Sequence, residues 1–175
     1  MTDAEHLAQM HPWLRERVEH ALVAYRANAP EGVTIKLVES VRSTMTQQKY
    51  FAEGRSKADG INKLSFHQFN PALAVDAAVF RDGKYVQKLS DPAWQLWGKV
   101  VIAEGLEWAG LWSRFPEGPH AQVSERQRIK LLQEKVGAPI DGVWGPNTEA
   151  KVGGPFRNGK GWGRMSLSAW SKVMS

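Results

Sequence analysis

Residues 65–80 read SFHQFNPALAVDAAVF, a stretch that joins an apolar run to a histidine and a carboxylate. The part from Ala72 to Phe80 is short and apolar and is followed by the turn residue Gly83, which predicts a buried strand and a hairpin-like return. Asp76 lies in the middle of this strand. A buried carboxylate is costly unless a cation or several hydrogen-bond donors meet it, so the sequence predicts such a partner for Asp76.

The sequence on either side predicts helices and short strands that do not alternate strictly. Apolar residues at three- and four-residue steps predict helices, and short β-branched runs between glycines predict strands. The region 105–120 contains too many glycines and prolines for a long regular element. We therefore expect an α+β fold with a small antiparallel sheet flanked by helices. The predicted helices cover 12–29, 44–52, 127–136, 148–152 and 166–174, and one further helix begins at 91–92. The predicted strands cover 33–38, 72–80 and 84–86.

Composition restricts the class of protein. The chain has 175 residues, of which 42% are hydrophobic, enough for a packed core and too many for long disorder. It contains no cysteine, which excludes a disulfide scaffold, a thiolate zinc finger, an iron–sulfur cluster and a cysteine nucleophile. A metal ion bound here would therefore need His, Asp or Glu ligands. No apolar run approaches the roughly 18 residues that span a bilayer, so we expect no stable membrane insertion.

Charge divides the chain in two. Residues 1–124 contain 14 Lys/Arg and 14 Asp/Glu, whereas residues 125–175 contain 9 and 4, so the entire net charge of +5 lies in the second part. We expect one domain over 1–124 and a small basic helical domain over 125–175. A basic segment attracts polyanions such as an acidic wall polymer, nucleic acid or anionic lipid. The alternative is a solvated helical extension that packs on the first domain.

Two of the five histidines lie in segments with unusual composition. His67 precedes the strand of Asp76, and His120 follows a proline-rich turn that contains Glu117. His67, Asp76 and His120 are the residue types of an open zinc site, and a carboxylate such as Glu117 is the base that such a site requires. The spacing leaves open ordinary structural roles for the same side chains. The remaining histidines lie in or before the first helix among charged residues and are expected at the surface: His6, His11 and His20.

Three segments resemble the sequence blocks of one zinc peptidase family. SFHQFNPALAVD (65–76) is similar to an SxHxxGxAxD signature, GLEWAGLWSRFPEGPHAQV (105–123) to an EWGGxW…(D/E)xPHFQ block, and VRSTMTQQKYFAEGRS (41–56) to an RSxxxQxxLxxxGR stretch. These blocks are typical of VanY-type D-alanyl-D-alanine carboxypeptidases and L-alanyl-D-glutamate endopeptidases, a family that includes many phage endolysins. The resemblance covers roughly residues 10–123 with the blocks in the expected order.

The resemblance implies a hedgehog/DD-peptidase-like fold and a zinc ion held by His67, Asp76 and His120. It implies that Glu117 is the general base and later the acid, and that Arg42 polarises the scissile carbonyl or holds a substrate carboxylate. Matching positions in the same blocks imply substrate contacts for Gln47, Ser65 and Trp108.

The chain also departs from the family pattern. Eight residues separate His67 from Asp76 where the family usually has six, and Asn70-Pro71 stands as the insertion. Ala121 occupies a position where an aromatic residue is common. Glu107 is distant in sequence from His120 and is expected to support the site or form a salt bridge rather than act as the base.

The segment RIKLLQEKVGAPIDGVWGPNTEAKV (128–152) is similar to the start of the peptidoglycan-binding domain found on wall hydrolases, whereas GGPFRNGKGWG (153–163) does not match it. The leading hypothesis is therefore a peptidoglycan-degrading zinc endopeptidase, an endolysin, that hydrolyses an L-Ala–D-Glu or related stem-peptide bond. The alternatives are a D-Ala-D-Ala carboxypeptidase or dipeptidase of the same family and a non-catalytic wall-binding protein.

Further expectations concern partners and location. Peptidoglycan is the expected partner, with no nucleic acid bound, and the protein is expected to be a monomer. Residues 1–13 lack the basic and apolar regions of a signal peptide, which predicts synthesis in the host cytoplasm and action at the wall or periplasm after release.

Overall fold

The computed structural model describes residues 1–152 and 167–174. Seven helices and five strands lie within these ranges. The helices are α1 (Asp3–Ala8), α2 (Pro12–Asn28), α3 (Thr44–Ala52), α4 (Pro92–Ala103), α5 (Glu125–Val136), α6 (Pro146–Val152) and α7 (Leu167–Met174). The strands are β1 (Val33–Glu39), β2 (Ala74–Arg81), β3 (Lys84–Tyr85), β4 (Glu107–Trp108) and β5 (His120–Gln122). Single 3₁₀ turns cover Phe66–Gln68 and Ala109–Leu111.

The strands form one antiparallel sheet, which confirms the predicted α+β class. Its order is β1-β2-β5-β4, and β3 pairs with β2 outside this order. Helices α2 and α4 pack on each other and supply much of the apolar core that covers the sheet. This core contains Trp94, Trp97 and Trp108.

The element boundaries follow the local signals closely. Ser43 caps α3 by accepting a hydrogen bond from the backbone N–H of Thr46, and Gly54 follows the helix with φ +72°. Ser124 caps α5 in the same way, and Gly137 ends it in the left-handed conformation. Helix α1 was not predicted from the sequence; it has six residues and a capping box between Thr2 and Glu5.

A second apolar cluster joins the two halves of the chain. It contains Phe69, Leu73 and Val123 from the first 124 residues together with side chains of α5, α6 and α7. Trp170 in α7 is 1% exposed and donates its indole N–H to the carbonyl of Pro71 at 3.3 Å. The segment after Ser124 therefore packs on the first part of the chain. Residues 153–163, whose sequence does not match a wall-binding domain, lie outside the described ranges.

No helix within residues 1–152 and 167–174 combines the length and apolar character that a bilayer span requires.

Candidate metal centre

Three potential ligand atoms meet at one point of the sheet. His67 Nε2 lies 3.1 Å from Asp76 Oδ1, His120 Nδ1 lies 2.9 Å from the same oxygen, and the two nitrogens are 3.1 Å apart. His67 is fully buried and His120 nearly so. The structure therefore brings together the three residues that the sequence singled out as metal ligands.

Secondary structure positions each of the three side chains. Asp76 in β2 and His120 in β5 are direct partners in the antiparallel register, so their side chains project from the same face. His67 lies in the 3₁₀ turn before β2, which Ser65 caps by accepting a hydrogen bond from the backbone N–H of His67. The eight-residue spacing between His67 and Asp76 therefore still places both side chains at one site.

Hydrogen bonds on the far side of each imidazole determine its tautomer. His67 Nδ1 lies 2.7 Å from the carbonyl of Ser40, which only accepts, so Nδ1 carries the proton and Nε2 presents a lone pair. His120 Nε2 lies 3.0 Å from Gln122 Oε1, and Gln122 Nε2 donates to Glu107 Oε2 at 2.9 Å. Because Glu107 accepts, it fixes the orientation of the Gln122 amide, which in turn leaves the lone pair of His120 Nδ1 facing Asp76.

This arrangement fits a cation. Two nitrogen lone pairs and a carboxylate oxygen converge here. All three are hydrogen-bond acceptors, so they cannot bond to one another and a cation between them would satisfy all three. A tetrahedral zinc ion with bonds of about 2.0–2.1 Å separates its ligand atoms by about 3.3 Å, close to the 2.9–3.1 Å triangle of this site. Burial opposes a positive charge on His120, but the adjacent carboxylate of Asp76 raises its pKa, so the site favours positive charge at this point.

Arg42 lies against Asp76 on the side away from the imidazoles. Its Nη2 donates to Asp76 Oδ2 at 3.2 Å and also to Glu39 Oε2, and its Nε donates to Glu39 Oε1 at 2.9 Å. Its Nη1 donates to Gln47 Oε1 at 2.8 Å. Burial opposes the charge on Arg42, but its hydrogen bonds to the Glu39 carboxylate and the negative charge of Asp76 raise its pKa. The guanidinium is therefore largely engaged within the protein, and its side chain is 8% exposed.

A large groove opens beside the three ligand residues and contains Glu117. Burial raises the pKa of Glu117, with Asp76 adding to the rise and His120 opposing it. Trp112 lies over the site with its ring 5.3 Å from that of His120. A carboxyl group with a raised pKa beside a cation site is suited to accept and return a proton.

The three residues implied as substrate contacts lie in different places. Ser65 lines the groove. Gln47 is fully buried, and its Nε2 donates to Ser56 Oγ at 2.8 Å and to the carbonyl of Ala58 at 2.7 Å. Trp108 is 4% exposed in the core and donates its indole N–H to the carbonyl of Gly118 at 2.8 Å. Neither Gln47 nor Trp108 lines the groove, because their side chains are occupied in holding the walls behind it.

One expectation about the histidines is wrong. His6 is 5% exposed rather than at the surface, and its Nδ1 lies 3.1 Å from Ser40 Oγ. Ser40 Oγ donates to Gln9 Oε1 at 2.6 Å. Helix α1 and Gln9 therefore hold the residue whose carbonyl orients His67. His20 is exposed, as expected.

Sequence reasoning missed four residues that support the site: Glu39, Ser40, Gln9 and Gln122. Glu39 ends β1 at a register irregularity, and no spacing rule connects it to Arg42 in advance. Ser40 acts through its backbone carbonyl, which any residue type would provide. Of the four, only Gln122 could have been found from the sequence, because it is the last residue of the PHFQ-like block.

Comparison with known proteins identifies the relatives of this chain. No family model matches it. The peptidoglycan L-alanyl-D-glutamate endopeptidase CwlK of Bacillus subtilis (strain 168) is 30% identical over 129 residues, which cover 66% of this chain and 74% of CwlK. The crystal structure of the L-Ala D-Glu endopeptidase ChiX of Serratia marcescens matches with a TM-score of 0.58 at 23% identity, over 73% of this chain and 90% of ChiX. The fold, the sequence blocks and the curated relative agree, and the chain belongs to the VanY-type family of D-alanyl-D-alanine carboxypeptidases and L-alanyl-D-glutamate endopeptidases.

Proposed function

We propose that this protein is a zinc-dependent peptidoglycan hydrolase that cleaves the L-Ala–D-Glu bond of stem peptides. Its relatives CwlK and ChiX are both named as endopeptidases for this bond. The observation that carries the proposal is the convergence of His67 Nε2, Asp76 Oδ1 and His120 Nδ1 beside a groove that contains Glu117.

His67, Asp76 and His120 would hold the zinc ion. Two imidazole nitrogens and one carboxylate oxygen are borderline to hard ligands that suit zinc, and three protein ligands leave a coordination position open. When bound, zinc would supply the Lewis acidity that activates water and polarises a peptide carbonyl.

Glu117 is the proposed proton carrier. Its carboxylate takes the proton of the attacking water and then delivers it to the amine nitrogen that leaves. Burial raises the pKa of Glu117 toward the working pH, where a carboxyl group can both accept a proton and release it again.

Arg42 is proposed as a positioning residue. The resemblance implied direct contact with the scissile carbonyl or a substrate carboxylate, but four hydrogen bonds to Glu39, Gln47 and Asp76 already engage its guanidinium. Its role is to hold Asp76 Oδ2 so that Oδ1 alone faces the imidazoles.

The test uses purified peptidoglycan sacculi and mass spectrometry of the products. The zinc-loaded protein is expected to release new N-terminal D-Glu and C-terminal L-Ala. Release of D-Ala alone would identify a carboxypeptidase, and binding without any cleavage would identify a non-catalytic wall protein.

Glu117→Gln is the matched inactive variant, since it preserves shape and removes the proton carrier. It is expected to bind zinc like the wild type and to lose about 10²–10⁴-fold in turnover. Near-normal turnover of Glu117→Gln would exclude this residue as the base.

We further propose that residues 125–175 bind the wall and that the protein acts as an endolysin. The likeness of 128–152 to a peptidoglycan-binding domain and the net charge of this segment support wall binding. Expression with and without a membrane-permeabilising partner, followed by lysis assays, tests whether the enzyme reaches the wall from the host cytoplasm.

A further inference from the structure

Basic side chains occupy both rims of the groove beside the candidate metal centre. Arg55, Lys57 and Lys63 lie on one rim, and Arg114 lies on the segment that carries Phe115 and Glu117. Lys57 Nζ lies 5.4 Å from the centre of the Phe115 ring, which brings the two rims together at that point.

These cations have few acidic partners within the protein. Of the four, only Arg55 forms an ion pair within the described residues, with Glu53 at 3.4 Å and largely exposed. The carboxylates of the groove are otherwise engaged, since Arg42 pairs with Glu39 and Asp76. Glu117 is the remaining acidic residue of the groove.

These four basic residues do not belong to a part of the chain that is basic as a whole. Residues 1–124 contain equal numbers of basic and acidic residues. A local excess of positive charge in a formally neutral segment costs free energy through like-charge repulsion, unless an anion binds there.

The rim that carries Lys57 is also held rigidly. Buried Gln47 donates to Ser56 Oγ and to the carbonyl of Ala58, on either side of Lys57. Gln68, 6% exposed, donates to the carbonyl of Gly60 at 3.0 Å, and Asp59 accepts three backbone N–H groups. A preorganised cationic rim loses little conformational entropy when it binds an anion.

We propose that Lys57 and Arg114 bind the free α-carboxylate of the D-Glu residue in the substrate, and that the enzyme therefore discriminates against stem peptides in which this carboxylate is an amide. This inference rests on the proposed function, because it assigns the specificity of the same groove. Charge-assisted hydrogen bonds to a carboxylate are stronger than those to a neutral amide, so the free acid gains an advantage from both cations.

The experiment compares two synthetic stem peptides that differ only at this group, one with a free D-Glu α-carboxylate and one with the amide. The wild type is expected to show a KM about 10-fold or more lower for the free acid at low salt, and this preference is expected to shrink as ionic strength rises. Lys57→Gln with Arg114→Gln is expected to abolish the preference, so that the KM values for the two peptides become equal. Lys99→Gln, an exposed position of α4 outside the groove, is the control and is expected to retain the preference.

Equal KM values for the two peptides with the wild type, or a preference unchanged in the double variant, would overturn the proposal. Failure of the proposed function is distinguished by a second measurement. If the wild type cleaves neither peptide, calorimetric binding of the same two peptides to wild type and double variant still tests whether these cations select the carboxylate.

Discussion

Arg42 and Asp76 form an ion pair in which Arg42 Nη2 donates to Asp76 Oδ2 at 3.2 Å, while the other carboxylate oxygen, Oδ1, faces both imidazoles. One oxygen of Asp76 is thereby occupied by the protein and one is left for a cation. Burial opposes the charge on Asp76, but the adjacent imidazoles of His67 and His120 hold its pKa well below the usual range. The carboxylate thus remains ionised, as a metal ligand requires.

Replacing Arg42 by Met is expected to destabilise the fold by up to about 3–5 kcal/mol, because the partly buried carboxylates of Glu39 and Asp76 would lose the cation that compensates them. Arg42→Lys is expected to recover only part of this loss, since an ammonium group cannot reproduce the paired bonds to Glu39. Urea unfolding monitored by circular dichroism measures both. Arg81→Met removes an exposed pair with Asp91 and is expected to cost much less; equal losses at the two sites would contradict the role of Arg42.

Zinc stoichiometry tests the three proposed ligands. The wild type is expected to bind one zinc per chain, and His67→Ala, His120→Ala and Asp76→Ala are each expected to lose it after dialysis, because removal of one of three protein ligands cripples an open site. His20→Ala alters an exposed histidine and is the control. Stoichiometric zinc in His120→Ala, measured by atomic absorption, would refute the assignment, and retention by Asp76→Ala would redirect the search to another carboxylate.

The bond from Gln122 to Glu107 is expected to set the tautomer of His120. Gln122→Leu removes the acceptor of the His120 Nε2 proton and is expected to weaken zinc binding about 10–100-fold in chelator competition. Glu107→Gln allows the neighbouring amide to flip and is expected to have a smaller effect in the same direction. Nitrogen chemical shifts of His120 report the tautomer directly. An Nε2-protonated ring in Gln122→Leu with wild-type zinc affinity would show that the pair has no positioning role.

The sequence pointed to His67, Asp76 and His120 as ligands because Asp76 interrupts an apolar strand and because the surrounding segments resemble the blocks of one family, whereas the residue types alone left structural roles open. It also located most helices, since caps such as Ser43 and Ser124 are local. It could not predict that Glu39 would neutralise Arg42 or that a backbone carbonyl would orient His67. Those contacts depend on which strands pair and where β1 becomes irregular, and neither is encoded in local spacing.

Helix α1 was missed for a related reason. Six residues are too few for a periodic pattern to appear, so His6 was grouped with exposed histidines. Its burial became predictable only from the packing of α1 against β1. The consequence for the site is indirect but specific, since His6 contacts the residue whose carbonyl holds His67.

Stability is expected to fall below neutral pH through His6. Burial, with the nearby N-terminal amino group, lowers the pKa of His6 from its usual 6.5. The unfolded chain therefore binds more protons than the folded chain below pH 6.5, so this contribution is fully present above that pH and is lost as pH falls. The Tm of His6→Gln is expected to fall less than the Tm of the wild type when the pH is lowered from 7.5 to 5.5. His20→Gln should follow the wild type, and parallel curves for all three proteins would exclude His6 as the source.

Helix α7 contacts the segment that links His67 to Asp76, two of the proposed metal ligands. Trp170 packs edge-on against Phe69 with ring centres 5.5 Å apart, and Ser171 Oγ donates to the carbonyl of Asn70 at 2.9 Å. The bond from Ser171 falls on the Asn70-Pro71 insertion that lengthens the spacing from His67 to Asp76, and the ring contact falls on the residue before it. Trp170→Ala is expected to destabilise the protein by about 3–5 kcal/mol and to weaken zinc binding, because the cavity lies directly beneath the loop that presents His67. Phe51→Ala, at an exposed aromatic position, is the control.

A chain ending at Ser124 is expected to aggregate for the same reason, since it would expose Phe69 and its apolar neighbours. If instead that truncated chain is soluble, binds zinc and unfolds at the temperature of the full chain, then residues 125–175 are an independent module, as their charge alone suggests, and the packing of Trp170 contributes little to the site.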